Sequence, residues 1–238
     1  MSVDFGFVFR VDLVPTSGLF SKILIAVAET GVIKKFRDNL AQREYQPRKH
    51  LRFDEAASLL LDGAGVELVH MLPDGNTTEI VIAVRSCPPP YSERPTEPPF
   101  LLTLTWMPGR GLWENGCHIA EAKLLSMIEV ANAVLNTTRS SLGIGGDTTR
   151  HVWSADPWDA GLCRTPLSLR GRRLLPWAMF AATELFPNGR ARGIENICWR
   201  VEDLPGGNLM LIRTSHPYMK FEEDLENSEQ VKICLGLR

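Results

Sequence analysis

Alternating apolar and polar residues at the start of the chain predict a β-strand over residues 3–14, since every second side chain of a strand faces one side. The apolar residues on that side are Phe5, Phe7, Phe9 and Val11. Apolar residues recur at helical spacing over 20–27 and predict a helix capped by Ser17. The spacing over 33–40 predicts a second helical piece.

The next part of the chain is dominated by strand and turn signals. A short helix is expected over 54–61, with Asp54 as its cap. Two β-rich runs, 66–71 and 78–85, flank a Pro-Asp-Gly-Asn turn and predict a hairpin. Residues 100–107 form the next predicted strand.

The clearest helical pattern covers residues 119–135, where apolar residues recur every three or four positions. The proline-rich stretch 87–99 is typical of a long surface loop. Residues 139–149 are rich in glycine and serine, so they indicate a flexible break and a candidate boundary between two halves.

The last part of the chain predicts one more hairpin between two helices. A helix is expected over 174–186. The runs 197–204 and 208–214 flank a Pro-Gly-Gly turn, which favours a hairpin. A final helix with an acidic start is predicted over 221–235.

This order of elements predicts an α+β protein, with a mixed or mainly antiparallel sheet covered by helices. We expect one domain over residues 1–238, with a sub-boundary near 139–149. A loose duplication into two similar strand-and-helix halves stays open as an alternative.

Composition narrows the class of function. Hydrophobic residues make up 44% and charged residues 23%, which are globular values, and the net charge of −2 argues against a broad surface for nucleic acid. The five cysteines are scattered and show neither disulfide nor zinc spacing, so we interpret them as buried thiols. With no secretory pattern or membrane-length apolar run, we expect a cytoplasmic protein.

The sequence carries no strong catalytic motif. The Gly-rich run 143–147 ends in an aspartate that would repel phosphate, so it is interpreted as a flexible link. An enzyme remains an alternative, and its site would use Cys117, His151, or the pair Asp156 and Asp159. We expect no metal and no cofactor, because no histidine or carboxylate spacing of a metal site occurs.

Two kinds of residue point to binding of another protein. Trp113 and Trp158 lie in predicted loops beside polar residues, where tryptophan can anchor an interface. The acidic run of the last helix could meet a basic partner. The predicted partner-binding residues are Trp113, Asp156, Trp158, Asp159, Glu222, Glu223, Asp224 and Glu226.

Several motifs in the last third of the chain resemble those of a known family. They are Trp153, the run Asp156-Pro-Trp-Asp159, the segment around Trp177, and the stretch 201–212 before the acidic helix. They are similar to the end of bacterial polymorphic-toxin immunity proteins of the immunity protein 52 type.

The resemblance implies an α+β immunity protein that neutralises a toxin, often one delivered by a type VI secretion system. For this type the implied toxin is a nuclease, blocked by occlusion of its active site or of its assembly. From its charge and the lack of a membrane-length apolar run, we expect the chain itself to bind neither nucleic acid nor a membrane, and to be a monomer or homodimer. An adaptor subunit is a further alternative.

Overall fold

The structure is a computed structural model that describes residues 5–38, 49–86, 97–107, 119–140, 142–147, 173–183, 186, 188, 191–204 and 207–237. The strands are β1 (Phe5–Val11), β2 (Ile33–Asp38), β3 (Val66–Met71), β4 (Thr77–Ser86), β5 (Phe100–Trp106), β6 (Leu142–Asp147), β7 (Ala178–Ala182), β8 (Arg200–Leu204) and β9 (Asn208–Ile212). The helices are α1 (Ser17–Glu29), α2 (Phe53–Leu61), α3 (Glu121–Thr138) and α4 (Phe221–Leu235), with a 3₁₀ turn at Ile194–Asn196.

The nine described strands form one sheet in the order β2-β3-β4-β5-β1-β6-β7-β9-β8. Each neighbouring pair is antiparallel. The first strand lies at the centre, because β1 pairs with β5 on one side and with β6 on the other. The prediction of an α+β protein with a mainly antiparallel sheet is confirmed.

Helices cover both faces of the sheet. Alternate residues of β1 point to opposite faces: Phe7 belongs to the core beneath α1, α2 and α3, while Val8 belongs to a second core that α4 covers. From α4, Val231 and Leu235 enter that second core. The acidic helix therefore lies on the opposite side of the sheet from the other three described helices.

The glycine-rich segment forms β6 in the middle of the sheet, so its interpretation as a flexible break is wrong. The boundary expected near 139–149 stays a prediction. Gly143 and Gly145 face Phe9 and Phe7 of β1 in the register of the sheet. A Cβ atom added to Gly143 would lie 2.5 Å from Phe9 Cδ1, and one added to Gly145 would overlap the Phe7 ring. These glycines make room for two large aromatic side chains of the core.

The helix predicted over 33–40 is also wrong, because residues 33–38 form strand β2. A register shift in β2, between Ile33 and Lys35, changes the phase of the strand. As a result Ile33 and Phe36, three positions apart, are both buried against the same core. That spacing is what made the segment look helical.

The helix predicted over 174–186 is replaced by strand β7, which lies between β6 and β9. Ala178 and Phe180 pack into the core beneath α1 to α3, and Met179 and Ala181 pack into the core beneath α4. A strand buried on both faces shows no alternation of polar and apolar residues, so its pattern does not distinguish it from a buried helix.

Both predicted helix caps are displaced by one or two residues. The side chain of Thr16 caps α1, accepting a hydrogen bond from Leu19 N at 3.1 Å, and Ser17 is the first helical residue. Helix α2 follows Arg52 as its cap residue, so Asp54 lies inside the first turn. The hairpins β3–β4 and β8–β9, strand β5 and helices α3 and α4 confirm their predictions within a few residues.

Candidate functional site

Helix α4 presents an acidic face to solvent. The exposed residues along that face are Glu222, Glu223, Glu226, Gln230 and Ile233. The ion pairs of α4 within the described residues involve Asp224 and Glu229 instead. The carboxylates of Glu222, Glu223 and Glu226 therefore face solvent with no intramolecular cation from that part of the chain.

Asp224 belongs to the same acidic run but lies inside the protein. It is 2% exposed, and Arg213 Nη2 donates a hydrogen bond to its Oδ1 at 2.6 Å. The other N–H groups of Arg213 donate to the backbone carbonyls of Leu175 and Pro176 and to Asn227 Oδ1. The structure corrects the placement of Asp224 on the partner-binding surface: its carboxylate ties α4 to the end of β9.

Further polar contacts hold the buried side of α4. Ser228 Oγ accepts a hydrogen bond from the backbone N–H of Leu175 at 3.2 Å. One turn later, Lys232 Nζ donates to the carbonyl of Arg173 at 3.2 Å. With the Arg213 contacts, these bonds fix the helix against the segment before β7. The exposed glutamates are therefore presented on a preorganised element, which reduces the entropy cost of binding.

Part of this acidity has a purely structural explanation. Glu222 and Glu223 lie in the first turn of α4, where negative charge interacts favourably with the helix dipole. Glu226 lies beyond that turn, where the dipole effect has largely faded. The dipole thus accounts for two of the three exposed glutamates but not for the continuation of the acidic face.

The remaining predicted binding residues, Trp113, Asp156, Trp158 and Asp159, lie outside the described residues. Cys117 and His151, which the enzyme alternative would use, lie outside them as well. Their roles stay predictions. Among the residues that the structure does describe, no three His, Cys, Asp or Glu side chains are grouped so as to hold a metal ion.

Two cysteines can be compared with the expectation of buried thiols. Cys198 is a free, buried thiol, which confirms the expectation for this residue, and Cys234 is free and half-buried. Burial raises the pKa of the Cys198 thiol to about 12. Since the thiolate is the nucleophilic form, Cys198 is unreactive at neutral pH.

A buried polar network beneath α3 joins side chains that are far apart in the sequence, so no local pattern predicted it. Trp106 Nε1 donates a hydrogen bond to His70 Nδ1 at 3.0 Å, and His70 Nε2 lies 2.6 Å from Ser126 Oγ. An indole N–H can only donate, so Nδ1 is unprotonated and Nε2 of the neutral ring carries the proton. Desolvation lowers the pKa of His70 to about 4, so the ring is neutral near pH 7.

This tautomer decides what the pair of His70 and Ser126 can do. A general base must accept the proton of the hydroxyl group that it activates. Here His70 Nε2 donates to Ser126 Oγ, so it cannot accept that proton in the same arrangement. The network is a structural link between strands β3 and β5 and helix α3, and it gives no support to a serine nucleophile.

An open groove of about 470 Å³ lies beside this network, with Ser126 among its lining residues. The wall from α3 includes Ala122, Leu125 and Glu129. The opposite wall includes Val32, Met71 and Leu72. Most of these side chains are apolar, so the groove combines hydrophobic walls with a single hydroxyl group and a carboxylate.

An ion pair fixes the β3–β4 turn to helix α3 at one end of the groove. Lys123 Nζ lies 2.8 Å from Asp74 Oδ2, and the Lys123 side chain is only 5% exposed. The hydrogen bond from Lys123, with a second from the backbone N–H of Asn76, lowers the pKa of Asp74 to about 2. The carboxylate is therefore ionised across the physiological pH range.

Comparison with known proteins shows a distant similarity among solved structures. No protein-family model matches the chain, and no curated protein matches it. Among solved structures, the chain is similar to the type VI secretion system (T6SS) protein PA0821 of Pseudomonas aeruginosa, with a TM-score of 0.51 and 9% sequence identity. The alignment covers 99% of this chain and 73% of that one. At this identity the similarity shows a shared fold.

Within the described residues, no helix is both long and apolar enough to cross a bilayer.

Proposed function

We propose that this chain is an immunity protein that binds and neutralises a toxin, and that the toxin is a nuclease effector of a T6SS. The observation that carries the proposal is the similarity in fold, over 99% of the chain, to a protein named as a T6SS protein. The motifs in the last third that resemble immunity proteins of the immunity protein 52 type support it independently.

The acidic face of α4 suits such a partner. A nuclease binds the phosphate backbone through Lys and Arg, so its substrate-binding surface carries positive charge. Glu222 and Glu226 are exposed on a helix that buried hydrogen bonds hold in place. Complementary charge mainly speeds association and selects the partner. We infer that α4 meets the basic surface of the toxin and blocks access of nucleic acid.

The first experiment co-expresses this chain with each protein encoded beside its gene and identifies any neighbour that is toxic by itself. The proposal expects the cells to survive, and the two proteins to copurify as a stable complex. A toxin that kills the cells whether or not this chain is present, and that fails to copurify with it, would contradict the proposed function.

A second experiment locates the contact. The variant Glu222→Gln/Glu226→Gln removes two charges from α4, and the matched control Asp54→Asn/Glu97→Gln removes two exposed charges elsewhere. We expect the association rate of the α4 variant to fall about fivefold at low salt, with less than about a twofold change in the control. Equal effects in both variants would remove α4 from the proposed interface.

A further inference from the structure

Polar contacts connect the two walls of the groove between α3 and the β3–β4 turn. The ion pair between Lys123 and Asp74 joins its two walls, and Asp74 also accepts a hydrogen bond from Asn76 N at 3.0 Å. Leu72 N donates to Asn76 O at 2.8 Å, which closes the turn. A groove fixed in this way needs no rearrangement to receive a ligand, so little binding energy is lost to ordering.

The walls of the groove expose apolar surface that the fold does not cover. Met71 is 37% exposed, and Val32 and Leu125 are half-buried, although all three side chains are hydrophobic. Below them, Leu72 and Ser126 are 2% and 6% exposed. A concave apolar site with a buried floor is the kind of pocket into which an interface anchor residue fits.

The charge at the rim selects among partners. Glu129 is exposed, and it is the only charged side chain among the described residues that line the groove. The neighbouring Lys123 and Asp74 compensate each other through their ion pair. The described lining of the groove therefore carries one uncompensated negative charge, at Glu129, and it favours a ligand whose apolar group lies next to a cation.

We propose that this groove binds a segment of a partner protein in which an apolar side chain is flanked by Lys or Arg. The apolar side chain packs between Leu125 and Met71, and the flanking cation pairs with Glu129. This inference rests on the proposed function, because it assigns the segment to the basic toxin. It adds a second contact on the opposite side of the sheet from α4.

The first test needs no toxin. The full chain is labelled with ¹³C on its methionine methyl groups, and the Met71 signal reports on the groove while the buried Met127 signal serves as an internal control. The probe is an acetylated hexapeptide that alternates leucine and lysine, compared with its leucine–glutamate counterpart. The Met71 signal should shift saturably with the first peptide, and at least about tenfold more weakly with the second.

Variants test the two parts of the contact. Ala122→Trp fills the groove from an exposed position of α3, and Asn136→Trp places the same bulk on an exposed site of that helix outside the groove. Glu129→Lys reverses the rim charge, with Glu97→Lys as its control. Ala122→Trp should abolish the Met71 shift, and Glu129→Lys should reverse the preference between the two peptides, while both controls behave as the wild type.

The second test uses the toxin encoded beside the gene and separates the two proposals. If the wild-type chain binds the toxin and Ala122→Trp weakens that binding at least about tenfold, the groove is part of the interface. If both bind equally well, the groove proposal fails and the proposed function stands. If the wild type does not bind, the proposed function fails, and a silent Met71 signal in the peptide test would then reject the groove as well.

A second copy of this chain is the competing occupant. A dilution series of the pure protein tests this occupant. Light scattering reports the oligomeric state, and the Met71 signal reports whether the groove is occupied. A dimer that dissociates together with a change at Met71 would overturn the assignment to a toxin segment. A Met71 signal that does not change on dilution agrees with it.

Discussion

Replacing Asp224 with alanine would leave the guanidinium group of Arg213 buried without its carboxylate. The two side chains are 2% and 1% exposed, and their Oδ1 and Nη2 atoms are 2.6 Å apart. Removing one partner of a buried ion pair costs about 3–5 kcal/mol, because the remaining charge is uncompensated. Since Arg213 keeps hydrogen bonds to two backbone carbonyls and to Asn227, we expect Asp224→Ala to lie near the lower limit.

The reverse substitution should cost more. Arg213→Ala leaves the carboxylate of Asp224 buried and also removes the donors to the carbonyls of Leu175 and Pro176. Each buried acceptor that loses its partner costs about 1–3 kcal/mol unless water replaces the donor. We therefore expect Arg213→Ala to destabilise the chain by at least about 1 kcal/mol more than Asp224→Ala does.

Urea unfolding followed by far-ultraviolet circular dichroism measures these free energies. Glu226→Ala, on the exposed side of the same helix, is the control and should change stability by less than about 0.5 kcal/mol. In the double variant Arg213→Ala/Asp224→Ala neither charge is left buried without its partner, so its cost should be at least about 2 kcal/mol below the sum of the two single-site costs. A cost below about 1 kcal/mol for Asp224→Ala, or strict additivity, would show that the buried charge pair does not stabilise the contact between α4 and the end of β9.

Three further predictions follow from single contacts. Because burial lowers the folded-state pKa of His70 from 6.5 to about 4, the unfolded chain binds more protons between these values, so His70 should remove about 2 kcal/mol of stability between pH 7 and pH 5. This loss should disappear in His70→Gln, and unfolding curves at both pH values check it. Gly145→Ala should cost about 1–3 kcal/mol, because the added Cβ would overlap the ring of Phe7. Gly18→Ala, at an exposed position of α1, should be neutral or stabilising. Melting temperatures check this: the first variant should melt at a lower temperature than the wild type, and the second should not. Thr16→Ala should cost about 1 kcal/mol and Ser17→Ala less, which urea midpoints compare directly.

The parts of the fold that local chemistry determines could be predicted from the sequence. Gly75 has a φ of +82°, which glycine adopts without strain, so the turn and with it the β3–β4 hairpin could be predicted. Long helical periodicity likewise predicted α3, and an acidic start was the signal for α4. The three wrong predictions depend on distant partners: β2 contains a register shift against β3, β7 is buried on both faces, and β6 needs glycine because β1 places Phe7 and Phe9 against it.

In the candidate site too, the features set by local sequence could be predicted and those set by distant contacts could not. Sequence shows that positions 222, 223, 224 and 226 are acidic, but whether a carboxylate faces solvent depends on a partner that the helix pattern does not reveal. Arg213, eleven residues before Asp224, withdraws that one carboxylate into the protein and leaves the glutamates outside. His70 and Ser126 are 56 positions apart, so no local spacing could have joined them. A change at Asp224 therefore tests folding, and only changes at the exposed glutamates bear on the proposed binding of a toxin.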